Sequence, residues 1–334
     1  MDLPRLLLIA TGGTIAGAAP SASRTQGYVP GALPVSALVD AVPALASLAR
    51  VQAEQPFSIG SQHMTGARWL QLAARLRQAQ ADPSLAGVVI AHGTDTLEET
   101  ALFLDLTCPR RLPVVLTGAM RPATALGADG PMNLYAAAAV AADPHACGAG
   151  ALVLMNDQVF APDRAAKVHT VRTDAFVARD DGPMALMLDG RPAWRRPPAE
   201  AAARRPSLVD AFATLPADLP RVDLIAQHVD ADVEVVAWLR ARGARGLVLA
   251  GTGHGTMSHP MQEALARAAS DGCLVVRASR VANGPVTRDG GVDDSANGFV
   301  AAGFLSPHKA RLVASLALAA GLDRVATQAL FDRF

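Results

Sequence analysis

Gly87-Val88-Val89-Ile90-Ala91-His92-Gly93-Thr94-Asp95-Thr96-Leu97-Glu98-Glu99-Thr100 is the stretch that decides the fold. Its first five residues are apolar and rich in β-branched side chains. They read as a strand buried on both faces, as at the centre of a parallel sheet. Asp95 and Thr96 then precede a helical run, Leu97, Ala101, Leu102 and Leu104, with Glu98 and Glu99 in its first turn. Thr96 and Glu99 have the spacing of a capping box, and acids there complement the helix dipole. The cap leaves His92-Gly93-Thr94 unexplained. Thr94 and Asp95 fall at the carboxyl end of a strand, where open α/β sheets gather ligands. His92, following a buried strand, reads as structural rather than as a metal ligand.

The arrangement occurs once more, earlier in the chain. Leu6-Leu7-Leu8-Ile9 is followed by Ala10-Thr11-Gly12-Gly13-Thr14-Ile15-Ala16-Gly17. The glycine pair lets the backbone turn sharply and approach a ligand closely. Thr14 would then offer a hydroxyl nucleophile, with neighbouring N–H groups as oxyanion donors. A plain strand-ending turn or a phosphate loop fits the same residues, although neither Gly-x-Gly-x-x-Gly nor Gly-Lys-Ser/Thr is present. A threonine hydroxyl is a weak nucleophile without a base. Lys167, in Arg164-Ala165-Ala166-Lys167-Val168-His169-Thr170, is a candidate, since a buried lysine can accept a proton; spacing alone reads it as a surface lysine.

Working outward, strand-like runs alternate with helical patterns. Leu6–Ala10, Val51–Phe57, Val88–Ala91, Val114–Thr117 and Ala151–Met155 read as strands. Trp69, Leu70, Leu72, Ala73 and Leu76 recur at helical spacing. Asp129-Gly130-Pro131 starts a further helix, with Asp129 as N-cap. The pattern degrades from Arg191 to Pro220, where prolines mix with Ala and Arg, and then resumes. Strands are expected at Val222–His228, Gly246–Ala250 and Cys273–Arg277, and helices at Val233–Arg242, His259–Ser270 and Lys309–Ala320. The expected fold is α/β in two domains. Residues 1–190 form a larger domain with a mostly parallel sheet flanked by helices, 191–220 a linker, and 221–334 a smaller α/β domain.

Composition narrows the function classes. The chain has 334 residues, 51% hydrophobic and 18% charged, which is ordinary for globular domains. Thirty basic residues balance thirty acidic ones, without the basic excess of a nucleic-acid binder. The Arg-rich stretch Arg191 to Arg205 fits a linker better. Cys108, Cys147 and Cys273 are too few and too widely spaced for a disulfide framework or zinc site, and each is expected to be a small buried hydrophobe. No run of 18 apolar residues offers a membrane span. The short apolar run after Asp2 reads as a first strand, which places the protein in the cytoplasm; a trimmed signal peptide would leave the same start in a periplasmic protein.

Together these residues resemble the bacterial L-asparaginase (asparaginase/glutaminase) family. The resemblance runs through Thr11 to Gly17, Ile59-Gly60-Ser61-Gln62, His92 to Thr100, Gly118-Ala119-Met120-Arg121-Pro122, Asp129 to Tyr135, Met155-Asn156-Asp157, Ser279-Arg280-Val281 and Val292-Asp293-Asp294, nearly the whole chain. It implies hydrolysis of L-asparagine to L-aspartate and ammonia by a threonine-nucleophile double displacement, with minor glutaminase activity, and without metal or organic cofactor. Carried over by motif, Thr14 looks like the nucleophile and Tyr28 like the lid tyrosine that polarises it. Thr94, Asp95 and Lys167 resemble the second catalytic triad. Ser61 and Gln62 look like ligands of the α-carboxylate, Asp95 like the partner of the α-ammonium, and Ala119 like the backbone position facing the amide. A homotetramer, a dimer of tight dimers with sites completed across each dimer, is implied as well.

Three positions depart from the family pattern. Gly291 stands where the family commonly has a Glu just before Val-Asp-Asp, supplied to a neighbouring subunit's site. His254, in Gly251-Thr252-Gly253-His254-Gly255-Thr256, stands where Asn or Ser is frequent; it reads as an exposed turn residue or as a substrate contact contributed by a neighbouring subunit. His63 replaces an Asp that often follows Ser-Gln. Two other readings compete: a related ammonia-releasing amidohydrolase, and an amino-acid-binding sensor built from two domains around a cleft. A sensor needs none of Thr14, Thr94 and Lys167, and all three are present.

Overall fold

The computed structural model describes residues 2–334, and the chain divides into two compact units, one ending at Val209 and one running from Asp210 to Phe334. The first unit contains strands β1 (Arg5–Ala10), β2 (Arg50–Glu54), β3 (Gly87–Ala91), β4 (Val114–Thr117), β5 (Ala151–Met155), β6 (Gln158–Phe160), β7 (Ala165–Lys167), β8 (Phe176–Ala178), β9 (Ala185–Leu188) and β10 (Arg191–Trp194). Its helices are α1 (Val35–Asp40), α2 (Leu45–Leu48), α3 (Gly66–Ala81), α4 (Leu97–Thr107), α5 (Gly130–Ala142) and α6 (Pro198–Arg204). The main sheet has eight strands in the order β10-β9-β6-β5-β4-β3-β1-β2. From β2 to β5 neighbours are parallel, with Ala10 opposite Ala91 and Ala91 opposite Thr117. β6, β9 and β10 extend it antiparallel. β7 and β8 form a separate two-stranded ribbon.

The parallel strands are where the apolar runs placed them. β1, β3, β4 and β5 are almost wholly buried, and the alanine-rich α5 packs against them beside Leu6, Leu8, Val89, Val115 and Leu152. α3 and α4 pack on one another through Trp69 and Phe103, whose rings stack 5.3 Å apart. The expected strand Val51–Phe57 stops at Glu54, because its ladder with β1 ends at Ile9 and β2 has only β1 as a neighbour.

The stretch 191–220, expected as a linker, begins with ordered structure. Arg191–Trp194 pairs with β9 through the turn Asp189-Gly190, both residues at positive φ. Pro192 is tolerated because β10 is an edge strand. Arg205, just beyond α6, is buried and donates to both oxygens of buried Asp105, at 2.9 and 3.1 Å. That charge-assisted pair fastens the segment to α4.

The second unit has four parallel strands, β11 (Val222–Ala226), β12 (Gly246–Gly251), β13 (Leu274–Ser279) and β14 (Phe299–Ala301), in chain order. Its helices are α7 (Glu234–Ala241), α8 (His259–Ser270), α9 (Asp294–Asn297), α10 (Pro307–Ala319) and α11 (Arg324–Phe331). Val236, Leu239, Met261 and Leu265 of α7 and α8 join Leu247, Leu249 and Val275 in one core. The edge strand β14 is covered from α11: the Gln328 amide accepts from Ala301 N–H at 2.8 Å and donates to Ala301 C=O at 3.2 Å. Two α/β units, the larger with a mostly parallel sheet, are the fold class expected from the sequence. Among the described residues no helix is long and apolar enough to cross a membrane.

Cys108 and Cys273 are buried as expected. Cys147 is not: it follows the turn Pro144–Ala146 at the surface.

Candidate active site

Adjacent strands β1 and β3 deliver the two threonine loops side by side in the first unit. Thr14 opens a single 3-10 turn, Thr14–Ala16, just behind β1, and is almost buried. Gly13 before it has φ 78°, and a Cβ there would lie 2.3 Å from Gly93 Cα. Only glycine permits both the dihedral and the approach of the two backbones. The Thr14 hydroxyl meets the Tyr28 hydroxyl at 2.6 Å.

Thr94 and Asp95 follow β3. Lys167, at the end of β7, donates from Nζ to Thr94 Oγ1 at 2.9 Å and to Asp95 Oδ1 at 2.6 Å. Thr94 is buried, Lys167 half-buried and Asp95 exposed, so the cluster opens to solvent through the carboxylate. As an ammonium, Lys167 makes Thr94 Oγ1 an acceptor. Tyr28 OH, by contrast, can donate to or accept from Thr14.

Ser61 is buried and its Oγ accepts from Asp95 N–H at 3.1 Å, fastening the turn Ser61–His63 to the Thr94 loop. Gln62 is exposed on that turn, its amide folded over Gly60. Ala119 is fully buried just beyond β4. Asp129 holds its loop, accepting from Met120 N–H at 2.9 Å and Arg121 N–H at 3.0 Å. Asp129 stands at the N-cap position of α5, but its carboxylate caps no backbone N–H of the helix; besides this loop it accepts from the Asn133 side-chain amide at 3.2 Å. Thr14 with Tyr28, and Thr94 with Asp95, Lys167 and Ser61, are thus brought together.

His254 belongs to the second unit, where both ring nitrogens are engaged. Nδ1 donates to Gly290 C=O at 2.6 Å, and Nε2 accepts from Thr287 N–H at 3.1 Å. Buried Arg277 underlies the same loops, donating to His254 C=O, Thr287 C=O and both oxygens of buried Asp294. Gly291 lies beside His254 at φ 90°.

The Thr96 side chain does not cap the helix. Thr96 occupies the N-cap position of α4, but its hydroxyl donates to Ser61 C=O at 2.9 Å, and Glu98 Oε1 accepts from Lys167 N–H at 3.0 Å. Tertiary partners outcompete the local cap. His92 is structural, as expected. Trp69 Nε1–H donates to Thr100 Oγ1 at 2.8 Å, Thr100 donates to His92 Nε2 at 3.1 Å, and His92 Nδ1–H donates to Gly93 C=O at 2.7 Å. The donor-only indole and acceptor-only carbonyl fix this direction. Full burial pushes the imidazole pKa down to about 4, against the pull of the Gly93 hydrogen bond. Sequence reasoning missed the roles of Trp69, Thr100 and Asp129. For Thr100 the available signal was a polar side chain on the apolar face of the α4 pattern.

Two threonine hydroxyls at the carboxyl ends of adjacent parallel strands, one of them met by a lysine ammonium from the β7–β8 ribbon, suit acyl-transfer chemistry, and comparison with known proteins gives the class, the amidohydrolases. The model of the N-terminal asparaginase domain matches residues 5–200, and that of the glutaminase/asparaginase C-terminal domain matches residues 221–331. The probable periplasmic L-asparaginase of Haemophilus influenzae is 42% identical over 334 residues, covering 100% of this chain and 94% of that protein. L-asparaginase 2 of Escherichia coli is 40% identical, again over 100% of this chain and 94% of its own length. The crystal structure of a probable cytoplasmic L-asparaginase from Campylobacter jejuni superposes with a TM-score of 0.91 at 36% identity, over 99% of this chain and 100% of that one. The chain belongs to the asparaginase family, and it is an enzyme.

Proposed function

We propose that the protein hydrolyses the side-chain amide of L-asparagine to L-aspartate and ammonia, with Thr14 as the first nucleophile. The observation that carries this is the 2.6 Å contact between the Thr14 and Tyr28 hydroxyls beside a separate Lys167-Thr94-Asp95 cluster. As Oγ1 attacks the amide carbon, Tyr28 OH accepts the Thr14 proton while passing its own phenolic proton on to the relay that protonates the leaving nitrogen, so the phenol stays neutral. The C–N bond then breaks, the nitrogen leaves as ammonia with a proton, and the acyl group remains as an ester on Thr14. Water cleaves the ester and releases aspartate. Lys167, Thr94 and Asp95 form the relay that protonates the leaving nitrogen and directs the water.

The rest of the substrate has matching groups in this reading. Ser61 and Gln62 hold the α-carboxylate, Asp95 the α-ammonium, and the backbone at Ala119 faces the amide. His254 reaches the site of a neighbouring subunit in a homotetramer. With Gly291 in place of an acid, Asp95 is left as the countercharge of the ammonium, and His254 and Gly291 retune substrate preference. Minor glutaminase activity is part of the same proposal. So is a cytoplasmic location, which the three free thiols favour. Ammonia release from L-asparagine by the purified protein, abolished in Thr14→Val, is the expected result. No release from any amide amino acid would overturn the reading in favour of a binding protein.

A further inference from the structure

Lys167 reaches Thr94 and Asp95 from an unfavourable base. Its strand β7 is three residues long and pairs only with β8, outside the main sheet. An isolated two-stranded ribbon is marginally stable, and a lysine stem carries about 2 kcal/mol of rotamer entropy. No ladder sets the register between this ribbon and the loop after β3. The Lys167 N–H points away from β8, whereas the next residue, Val168, donates to Ala175 C=O at 2.8 Å. What receives the Lys167 N–H is Glu98 Oε1, at 3.0 Å.

Glu98 lies in the first turn of α4, four residues beyond Thr94, with 5% exposure. The contacts close a ring. The chain runs from Thr94 to Glu98, the carboxylate grips the Lys167 backbone, and Lys167 Nζ returns to Thr94 Oγ1 at 2.9 Å. Complementing the helix dipole would not itself offset the burial of a carboxylate, since that interaction contributes typically 0.3–1 kcal/mol and dehydration of an acid costs about several times more. A charge-assisted hydrogen bond to a backbone N–H gives the buried acid a structural purpose at this position.

We propose that Glu98 is a positioning residue of the reaction: by gripping the backbone N–H of Lys167, it places the ammonium on Thr94 and Asp95. The proposal rests on the reading of Lys167 as part of the catalytic relay.

The test is a double-mutant cycle with steady-state kinetics on L-asparagine. Glu98→Met keeps the volume and removes the acceptor. It lowers kcat about 30-fold, as expected for a reactive group displaced by up to 1 Å, with KM within about threefold. Glu98→Gln keeps an acceptor oxygen and retains kcat within about fivefold of the parent. In a Lys167→Ala background Glu98→Met has no further effect on kcat, because its influence passes through the absent ammonium. Should Glu98→Met fail to fold, Glu98→Asp, which keeps the charge but withdraws the oxygen by one methylene, takes its place in the cycle with the same expectation. Parent kcat in Glu98→Met, equal losses in the Met and Gln variants, or an undiminished loss in the Lys167→Ala background would each overturn the proposal. Parent activity in Lys167→Ala alone would instead overturn the reading of Lys167, a distinct result obtained without touching Glu98.

Discussion

The two threonine loops leave adjacent parallel strands at the same level of the sheet, yet they are built differently. The Thr14 loop is held by backbone. Gly13 N–H donates to Ile59 C=O at 2.8 Å, Gly31 N–H to Gly13 C=O at 3.0 Å, and Gly17 N–H to Thr14 C=O at 2.8 Å. The Thr94 loop is held by side chains: His92 on Gly93, Ser61 on Asp95, Thr96 on Ser61 and Glu98 on the Lys167 backbone. Their partners differ as well. Thr14 meets a phenol that can accept or donate a hydrogen bond and so pass a proton along, Thr94 an ammonium that can only donate. In the proposed mechanism this is a division of labour: the loop assigned the attack is made rigid by its backbone, and the loop assigned the proton relay is adjusted by side chains.

The sharpest way to break this comparison is to remove each hydroxyl. Thr14→Val lowers kcat for asparagine about 10⁴-fold, as for loss of a nucleophile, with KM little changed. Steady-state ammonia release measures it. If Thr94→Val is the more damaging variant and Thr14→Val leaves an acyl-enzyme detectable by mass spectrometry, the assignment of the loops reverses.

Next in size is Lys167→Met, expected to lower kcat about 10³-fold, within the range of a lost proton-transfer group. Thr94→Val added to it costs little more, because the two act as a unit. Additive losses would show that Thr94 works without Lys167 and that the ring through Glu98 serves something else.

The same contrast explains what was legible in the sequence. β1, β3, β4 and β5 are readable to within a residue, since fully buried strands give unbroken apolar runs ended here by Thr, His or Asn. α8 is readable because Ser258 and Pro260 mark its start. Thr14 and Thr94 were legible as strand-tip residues beside glycine. Lys167 was legible only as a candidate base whose spacing reads as a surface lysine: a three-residue strand has no periodicity, and it took the motif resemblance to join it to Thr94 and Asp95. β6, β9 and β10 went unread for the same reason, although Asp189-Gly190 is a strong hairpin signal. Thr96 carried a local capping signal that a tertiary partner, Ser61 C=O, overrode, and side-chain bonds between distant segments leave no spacing in a sequence.

A third test touches stability rather than rate. His92 is neutral in the fold because burial holds its pKa at about 4, below the ordinary 6.5. As pH falls through 6.5 the unfolded chain takes a proton that the folded chain refuses until about 4. Stability from this group is therefore complete above about 6.5, declines between 6.5 and 4, and levels off below; the full span corresponds to about 3 kcal/mol. Denaturant unfolding from pH 4.5 to 7.5 measures it. His92→Gln flattens that part of the profile. An unchanged profile would mean that other groups govern acid stability and that His92 does not brace the Thr94 loop as a neutral donor.

The smallest expected effect concerns what Asp95 does alone. Asp95 is exposed and already spends one oxygen on Lys167, so the hold on a substrate ammonium proposed for it would be screened by solvent. Gly291→Glu, in a homotetramer, would add a second carboxylate to that task. Gly291 has φ 90° and open space around its Cβ, with Thr256 Cγ2 at 3.8 Å and His254 Nδ1 at 3.9 Å. A side chain fits, at a cost in backbone strain of about 1–2 kcal/mol. The expected result is a KM for asparagine about threefold lower, the size of an exposed ion pair, with kcat unchanged. Gly291→Ala carries the same strain without the charge, so its KM stays at the parent value. If Glu and Ala behave alike, the missing acid does not set affinity, and the Thr94 loop binds the ammonium through Asp95 without help from the second unit's loops.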